Sequence, residues 1–96
     1  MQIIYSQKSK EEIEDIQDYL IDNFGERLAG EKIDMIRDDI SILSENPFYG
    51  RLIVDGIRKL NSGMSVILYE VQEKSVEIHH VVDSRTNWVR TLCLDK

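Results

Sequence analysis

Residues 64–82 read MSVILYEVQEKSVEIHHVV and decide the fold, because apolar side chains alternate along both halves of this stretch. In the first half Val66 and Leu68 share one side, and Ile67 and Tyr69 share the other. β-Branched and aromatic residues of this kind favour strands. Polar residues between the two halves are typical of a turn. The stretch therefore predicts two antiparallel strands.

The second half of this stretch is expected to alternate strictly between two faces. One face is expected to carry Val76, Ile78, His80 and Val82. The other is expected to carry Glu77, His79 and Val81. Upstream, a segment containing Ile57 and Leu60 precedes the turn residues Asn61-Ser62-Gly63, which predicts a further strand in a hairpin.

Two helical patterns come before the strands. Apolar residues recur every three or four positions from Ser9 to Phe24, and the sequence Ser9-Lys10-Glu11-Glu12 matches a capping box that begins a helix at Ser9. Gly25 supplies the stop. The second helix is expected from Glu26 to about Glu45, because Pro47 disfavours helical geometry before it. A tight turn joins the two into an antiparallel hairpin.

These elements predict an α+β domain. The expected order is an N-terminal strand, a two-helix antiparallel hairpin, and a three-stranded antiparallel meander with a short C-terminal tail. Both helices are expected on one face of a sheet built from the segments near Ile3, Ile57, Val66 and Ile78. A length of 96 residues with 42% hydrophobic content predicts a single domain over residues 1–96.

The charge is divided unevenly along the chain. The net charge is −6. Residues 1–46 carry 12 acidic and 5 basic side chains, whereas residues 47–96 carry 6 acidic and 7 basic side chains. The acidic residues of the helices are interpreted as a solvated face. An acidic total disfavours nucleic-acid binding, which depends on Lys and Arg.

The sequence also indicates a compartment. We expect no membrane partner and no secretion, because no apolar run approaches the roughly 20 residues of a spanning helix and the start lacks a signal-peptide pattern. Cys93 is the only cysteine, which excludes an internal disulfide and favours the reducing cytoplasm. Between Leu92 and Leu94, Cys93 is expected to be a small buried hydrophobe.

Few residues point to catalysis on their own. The sequence lacks a phosphate-binding glycine loop, zinc spacing and a nucleophile signature, so we expect no cofactor and no metal ion. Adjacent strand residues point to opposite faces, so His79 and His80 are not expected to chelate one metal. His80 is interpreted as a hydrogen-bonded histidine at the edge of the core, and His79 as exposed.

The basic residues of the second half are the candidate binding residues. They are expected either to meet phosphates or a partner's carboxylates, or to be scattered solubilising charge. These residues are Arg51, Arg58, Lys59, Arg85 and Arg90. Trp88, the only tryptophan, is either a core plug or a stacking surface, and the core plug is favoured.

Several short segments fall in the order of a known family. They are Tyr5-Ser6, Asp18-Tyr19-Leu20, Asn23-Phe24-Gly25, Asn46-Pro47-Phe48-Tyr49-Gly50-Arg51, Gly56-Ile57-Arg58-Lys59-Leu60, Leu68-Tyr69-Glu70-Val71, and Arg85-Thr86-Asn87-Trp88 followed by Leu92. With them the chain resembles the RelE/ParE toxin superfamily over nearly its whole length. The resemblance implies a growth-inhibiting toxin of a plasmid-stabilisation (type II toxin–antitoxin) system, neutralised by a cognate antitoxin. It leaves open a homodimer or a toxin–antitoxin hetero-oligomer.

The resemblance implies different targets for different branches. RelE-like members cleave messenger RNA on the ribosome without a metal, and ParE-like members poison DNA gyrase. If the chain is a ribonuclease, the resemblance makes Lys59, Arg85, Arg58, His80 and Trp88 its catalytic candidates.

Two features of the sequence favour the ParE-like branch of this superfamily over the RelE-like branch. Val66 stands three residues before Tyr69, where the family often has an arginine, and valine cannot stabilise a phosphorane. The ending Arg85-Thr86-Asn87-Trp88 is also similar to ParE-like endings. A ribosome-dependent ribonuclease and a degenerate member that only binds its antitoxin are the alternatives.

Overall fold

The computed structural model of the chain describes residues 1–90, so the expectation for Cys93 and the contribution of Leu92 lie outside the described residues. The strands are β1 (Gln2–Tyr5), β2 (Arg51–Val54), β3 (Ile57–Ser62), β4 (Ser65–Val71) and β5 (Ser75–Asp83), and the helices are α1 (Gln7–Phe24) and α2 (Glu26–Ile42). One sheet has the order β1-β5-β4-β3-β2. β1 pairs in parallel with β5, and the other neighbours are antiparallel. The predicted α+β class is confirmed.

The meander has one strand more than the sequence analysis predicted. The added strand, β2, forms a hairpin with β3 through Asp55 and Gly56, whose φ angles are 48° and 80°. Asp-Gly is the residue pair that two-residue hairpin turns favour, because both positions need a positive φ. β2 has four residues, too few for an alternating pattern to identify it.

The first helix is capped by Ser6 rather than by Ser9. The Ser6 hydroxyl accepts a 3.0 Å hydrogen bond from the Ser9 amide, and the Ser9 hydroxyl donates to the Ser6 carbonyl at 2.8 Å. The predicted capping box is wrong because the helix already begins at Gln7, which places Ser9 within its first turn. The Glu12 carboxylate accepts a 3.0 Å hydrogen bond from the amide of Val81 on β5, which ties α1 to the sheet.

Gly25 alone joins the two helices. Its φ of +89° suits glycine, its amide donates to the Ile21 carbonyl at 2.9 Å, and its carbonyl accepts from the Ala29 amide at 3.1 Å. α2 ends at Ile42, and turns then lead towards Pro47. The Met1 ammonium donates to the carbonyl of Ser44 at 2.7 Å, so the residue before β1 lies beside the end of the second helix. The predicted antiparallel hairpin is confirmed, with its second helix three residues shorter than expected.

The helices cover one face of the sheet, which we call the inner face. The main core contains Ile13, Leu20, Ala29, Ile33, Ile36, Ile40 and Leu43 from the hairpin and Leu60, Ile67, Tyr69, Val76, Ile78 and Val81 from the sheet. The opposite, outer face carries a smaller cluster in which Ile53, Ile57, Val82 and Trp88 pack against Val66 and Leu68. Both helices therefore lie on one face, as predicted.

A β-bulge changes the register of β5. Leu68 lies opposite His80 but Tyr69 lies opposite Ile78, so His79 is an extra residue on β5. Beyond the bulge Val81 joins Val76 and Ile78 in the main core, so the predicted strict alternation of β5 is wrong from His80 onward. Within the described part of the chain, neither helix is long and apolar enough to cross a membrane.

Candidate functional site

The outer face brings together two of the five predicted basic residues and the tryptophan. Arg51 lies opposite Lys59, and Lys59 lies opposite Leu68, a member of the outer cluster. Directly paired residues share a face of the sheet. The Lys59 ammonium lies 5.3 Å from the centre of the Trp88 ring, a cation–π distance. We call Arg51, Lys59 and Trp88 the outer patch.

Trp88 packs into the outer cluster and is also partly exposed at the surface, so it combines the two roles considered from the sequence. Its half-buried ring packs against Val66 and Leu68. Together with Ile53, Ile57 and Val82, it leaves Val66 only 1% exposed. Position 66, where the family resemblance leads one to expect an arginine in a ribonuclease, is therefore buried.

Arg58 belongs to the other face of the sheet. It lies opposite Tyr69, a main-core residue, and its Nη1 donates to the Gly50 carbonyl at 2.8 Å. The guanidinium also lies 4.9 Å from the centre of the Phe48 ring. Arg58 therefore holds the segment that precedes β2 and does not join the outer patch.

The Tyr69 hydroxyl fixes the same segment. It donates to the Pro47 carbonyl at 2.9 Å and accepts from the Gly50 amide at 2.7 Å. Burial raises the pKa of the Tyr69 phenol, so the hydroxyl stays protonated and can donate. A Cβ at Gly50 would lie 2.6 Å from both the Lys59 carbonyl and the Tyr69 hydroxyl, so only glycine fits there. The Pro47-to-Gly50 part of the family resemblance thus has a structural basis.

Arg85 pairs with a neighbour on its own turn. Its Nη2 and Nε donate to the two carboxylate oxygens of Asp83 at 2.7 and 3.1 Å. These hydrogen bonds hold the pKa of Asp83 below its usual value. Arg85 borders a groove beside the helices, and Arg90 is exposed two residues beyond Trp88.

The two histidines occupy different environments. Nδ1 of the buried His80 lies 3.3 Å from both carboxylate oxygens of Glu12, which confirms a hydrogen-bonded histidine at the edge of the core. His79 is half-buried rather than fully exposed, and its Nε2 lies 3.1 Å from Glu70 Oε1. The bulge that separates them was not visible in the sequence pattern.

An apolar groove of about 510 Å³ runs between the helix hairpin and the β3–β4 turn. Its lining includes Tyr19, Phe24 and Met64, which are 55%, 55% and 56% exposed. Arg85 and Lys32 contribute charge to its lining. The groove was not predicted because its walls come from the helix hairpin and from the β3–β4 turn, which are distant in the sequence and which only the fold brings together. We call it the hairpin groove.

Comparisons with known proteins agree with this architecture. The family model described as ParE toxin of type II toxin-antitoxin system, parDE, matches residues 3–88. A solved structure titled "Chromosomal ParDE TA system from P. aeruginosa" has a TM-score of 0.78 at 20% identity, covering 86% of this chain and 95% of that chain. That likeness shows the fold, and no curated protein matches the chain. The predicted resemblance is confirmed: the chain belongs to the ParE family of type II toxin–antitoxin toxins.

Proposed function

We propose that the chain arrests bacterial growth in the cytoplasm by binding DNA gyrase through the outer patch, and that a cognate antitoxin neutralises it. The observation that carries this proposal is the separation of the basic residues. A ribonuclease needs a proton acceptor, a proton donor and charged stabilisers around one phosphate. A toxin that acts by binding a protein needs none of these.

The separation follows from the contacts of each candidate. Arg58 is held on the inner side by the Gly50 carbonyl, and Arg85 is paired with Asp83. His80 is buried, and its Nδ1 lies 3.3 Å from the Glu12 carboxylate of α1. Lys59 stays on the outer face beside Trp88. These placements support the ParE-like branch over an RNA-cleaving site.

The outer patch has the composition of a protein-binding hot spot. Tryptophan and arginine are enriched among the residues that dominate interface energies. Here Trp88 is already held in place by the cluster beneath it, and Lys59 is placed over its ring, so little side-chain order has to be gained on binding. Arg51 extends the same surface to the edge strand β2.

The hairpin groove suits an antitoxin segment. An amphipathic helix binds by placing spaced apolar residues into such a groove, and methionine and aromatic walls adapt to it. Tyr19, Phe24, Met35 and Met64 provide walls of that kind. We propose that a flexible antitoxin segment becomes ordered in this groove on binding.

The test is inducible expression in bacteria, with growth, DNA breaks and messenger RNA ends measured separately. We expect growth arrest with gyrase-dependent DNA breaks, and a weaker effect for Lys59→Gln. Lys74→Gln is the matched control, because Lys74 is an exposed lysine in the β4–β5 turn. Ribosome-dependent cleavage of messages would contradict the proposal. Normal growth at confirmed soluble expression would favour a member that only binds its antitoxin.

A further inference from the structure

A cluster of possible metal ligands lies on the outer face between β4 and β5. Glu70 follows Leu68 by two residues on β4, so both point outward, and Glu77 lies directly opposite Glu70 on β5. The Nε2 of His79 lies 3.1 Å from Glu70 Oε1. Ligand atoms of all three side chains lie within 4.8 Å of one another, and all three residues are half-buried.

This arrangement places two carboxylates together with no lysine or arginine paired to either among the described residues. Carboxylates directly opposite each other on neighbouring strands are destabilising. Among residues 1–90, no Lys or Arg forms an ion pair with Glu70 or Glu77, and no hydrogen bond reaches the Glu77 carboxylate. A bound cation would remove the repulsion and use the vacant oxygens of Glu77.

The kinds of donor atom indicate which cation fits. We propose that Glu70, Glu77 and His79 bind one zinc ion, with water completing the coordination. An imidazole nitrogen with two carboxylate oxygens suits zinc, whereas magnesium prefers an all-oxygen shell. Ligand atoms about 2.1 Å from a tetrahedral zinc ion lie about 3.4 Å apart, so ligand atoms that lie up to 4.8 Å apart must approach by up to about 1.4 Å. The glutamate stems are flexible enough for that movement.

The register explains why the sequence did not reveal this site. Glu70 and Glu77 are brought together by strand pairing, and the bulge at His79 sets the imidazole beside them. The site lies on the same face as Lys59, whose strand partner Leu68 is two residues from Glu70. Zinc there would cancel two negative charges close to the outer patch.

The experiment is calorimetric titration of the purified, untagged chain with zinc chloride in a non-coordinating buffer. We expect one zinc ion per chain, a raised Tm, and no response to magnesium. Glu77→Gln and His79→Gln should each weaken zinc binding at least tenfold. Losing a residue that only hydrogen-bonds a metal ligand already lowers metal affinity ~10–100-fold, so losing a ligand itself should lower it by no less than the lower end of that range. Glu73→Gln, which removes an exposed charge from the adjacent turn, should leave it unchanged.

Two results would overturn the proposal. One is zinc binding by the unaltered chain that is no tighter than binding by the double variant Glu77→Gln/His79→Gln. The other is an equal loss of affinity in Glu73→Gln, which would indicate diffuse attraction of zinc to acidic residues. Because no hydrogen bond reaches the Glu77 carboxylate from the described residues, Glu77→Gln should fold normally, and circular dichroism checks this.

Discussion

Tyr69→Phe tests the account of the segment that precedes β2. The change removes one hydroxyl from a fully buried ring and leaves its packing in place. The Pro47 carbonyl loses its 2.9 Å donor, and the Gly50 amide loses its 2.7 Å acceptor. The ring itself stays within the main core, so the effect reports on the two hydrogen bonds.

The expected cost can be worked from these contacts. Each hydrogen bond contributes about 1 kcal/mol, and leaving a buried amide unpaired costs about 1–3 kcal/mol. Together they lower the free energy of unfolding by about 3 kcal/mol. For a domain of this size that corresponds to a fall in Tm of roughly 10–25 °C.

Urea unfolding followed by circular dichroism measures this loss. Tyr49→Phe is the matched control, because Tyr49 is 66% exposed and no hydrogen bond reaches its hydroxyl from the described residues. We expect the control to change the free energy of unfolding by less than about 0.5 kcal/mol. If Tyr69→Phe were no less stable than Tyr49→Phe, the argument that this hydroxyl anchors the segment would be refuted.

The outer cluster, the hairpin groove and the Arg85–Asp83 pair can each be tested by a substitution. Val66→Arg should lower the free energy of unfolding, measured with urea, by at least about 3 kcal/mol, because it buries a charge in the cluster beneath Trp88. It should create no RNA cleavage. The control Val89→Arg, at an exposed position, should leave the free energy of unfolding nearly unchanged. Phe24→Asp should cost at least about 2 kcal/mol of antitoxin binding, measured by calorimetry. Removing Arg85 by Arg85→Ala should raise the lowered pKa of Asp83 towards 3.8 in an NMR titration. The stability that this lowered pKa supplies is present above pH 3.8 and is lost as the pH falls, so the variant should lose that part of the acid dependence.

The sequence predicted the parts of the fold that repeat a period. The alternation along β4 places Ile67 and Tyr69 in the main core and Val66 and Leu68 in the outer cluster, as expected. An alternating pattern needs several residues and an even register. β2 has only four residues, which are too few to show an alternating pattern, and the bulge at His79 interrupts the alternation along β5.

The binding surfaces were predictable only in part. Lys59 and Trp88 were both candidates from the sequence, but the contact between them depends on strand register and on the path of the chain after β5. Arg58 is a basic residue of β3, as Lys59 is, but its side chain points to the other face because successive residues of a strand alternate between faces. Residue type therefore identified the candidates, and register separated them.

The central claim is that the chain acts on DNA gyrase as a protein ligand. The most direct measurement incubates the purified chain with gyrase, ATP and supercoiled plasmid, and follows linear DNA after protein digestion. We predict linear DNA that requires both proteins, that decreases with Lys59→Gln and that persists with Lys74→Gln. Unchanged plasmid, at concentrations where the same preparation cleaves messages in a translating extract, would contradict the claim.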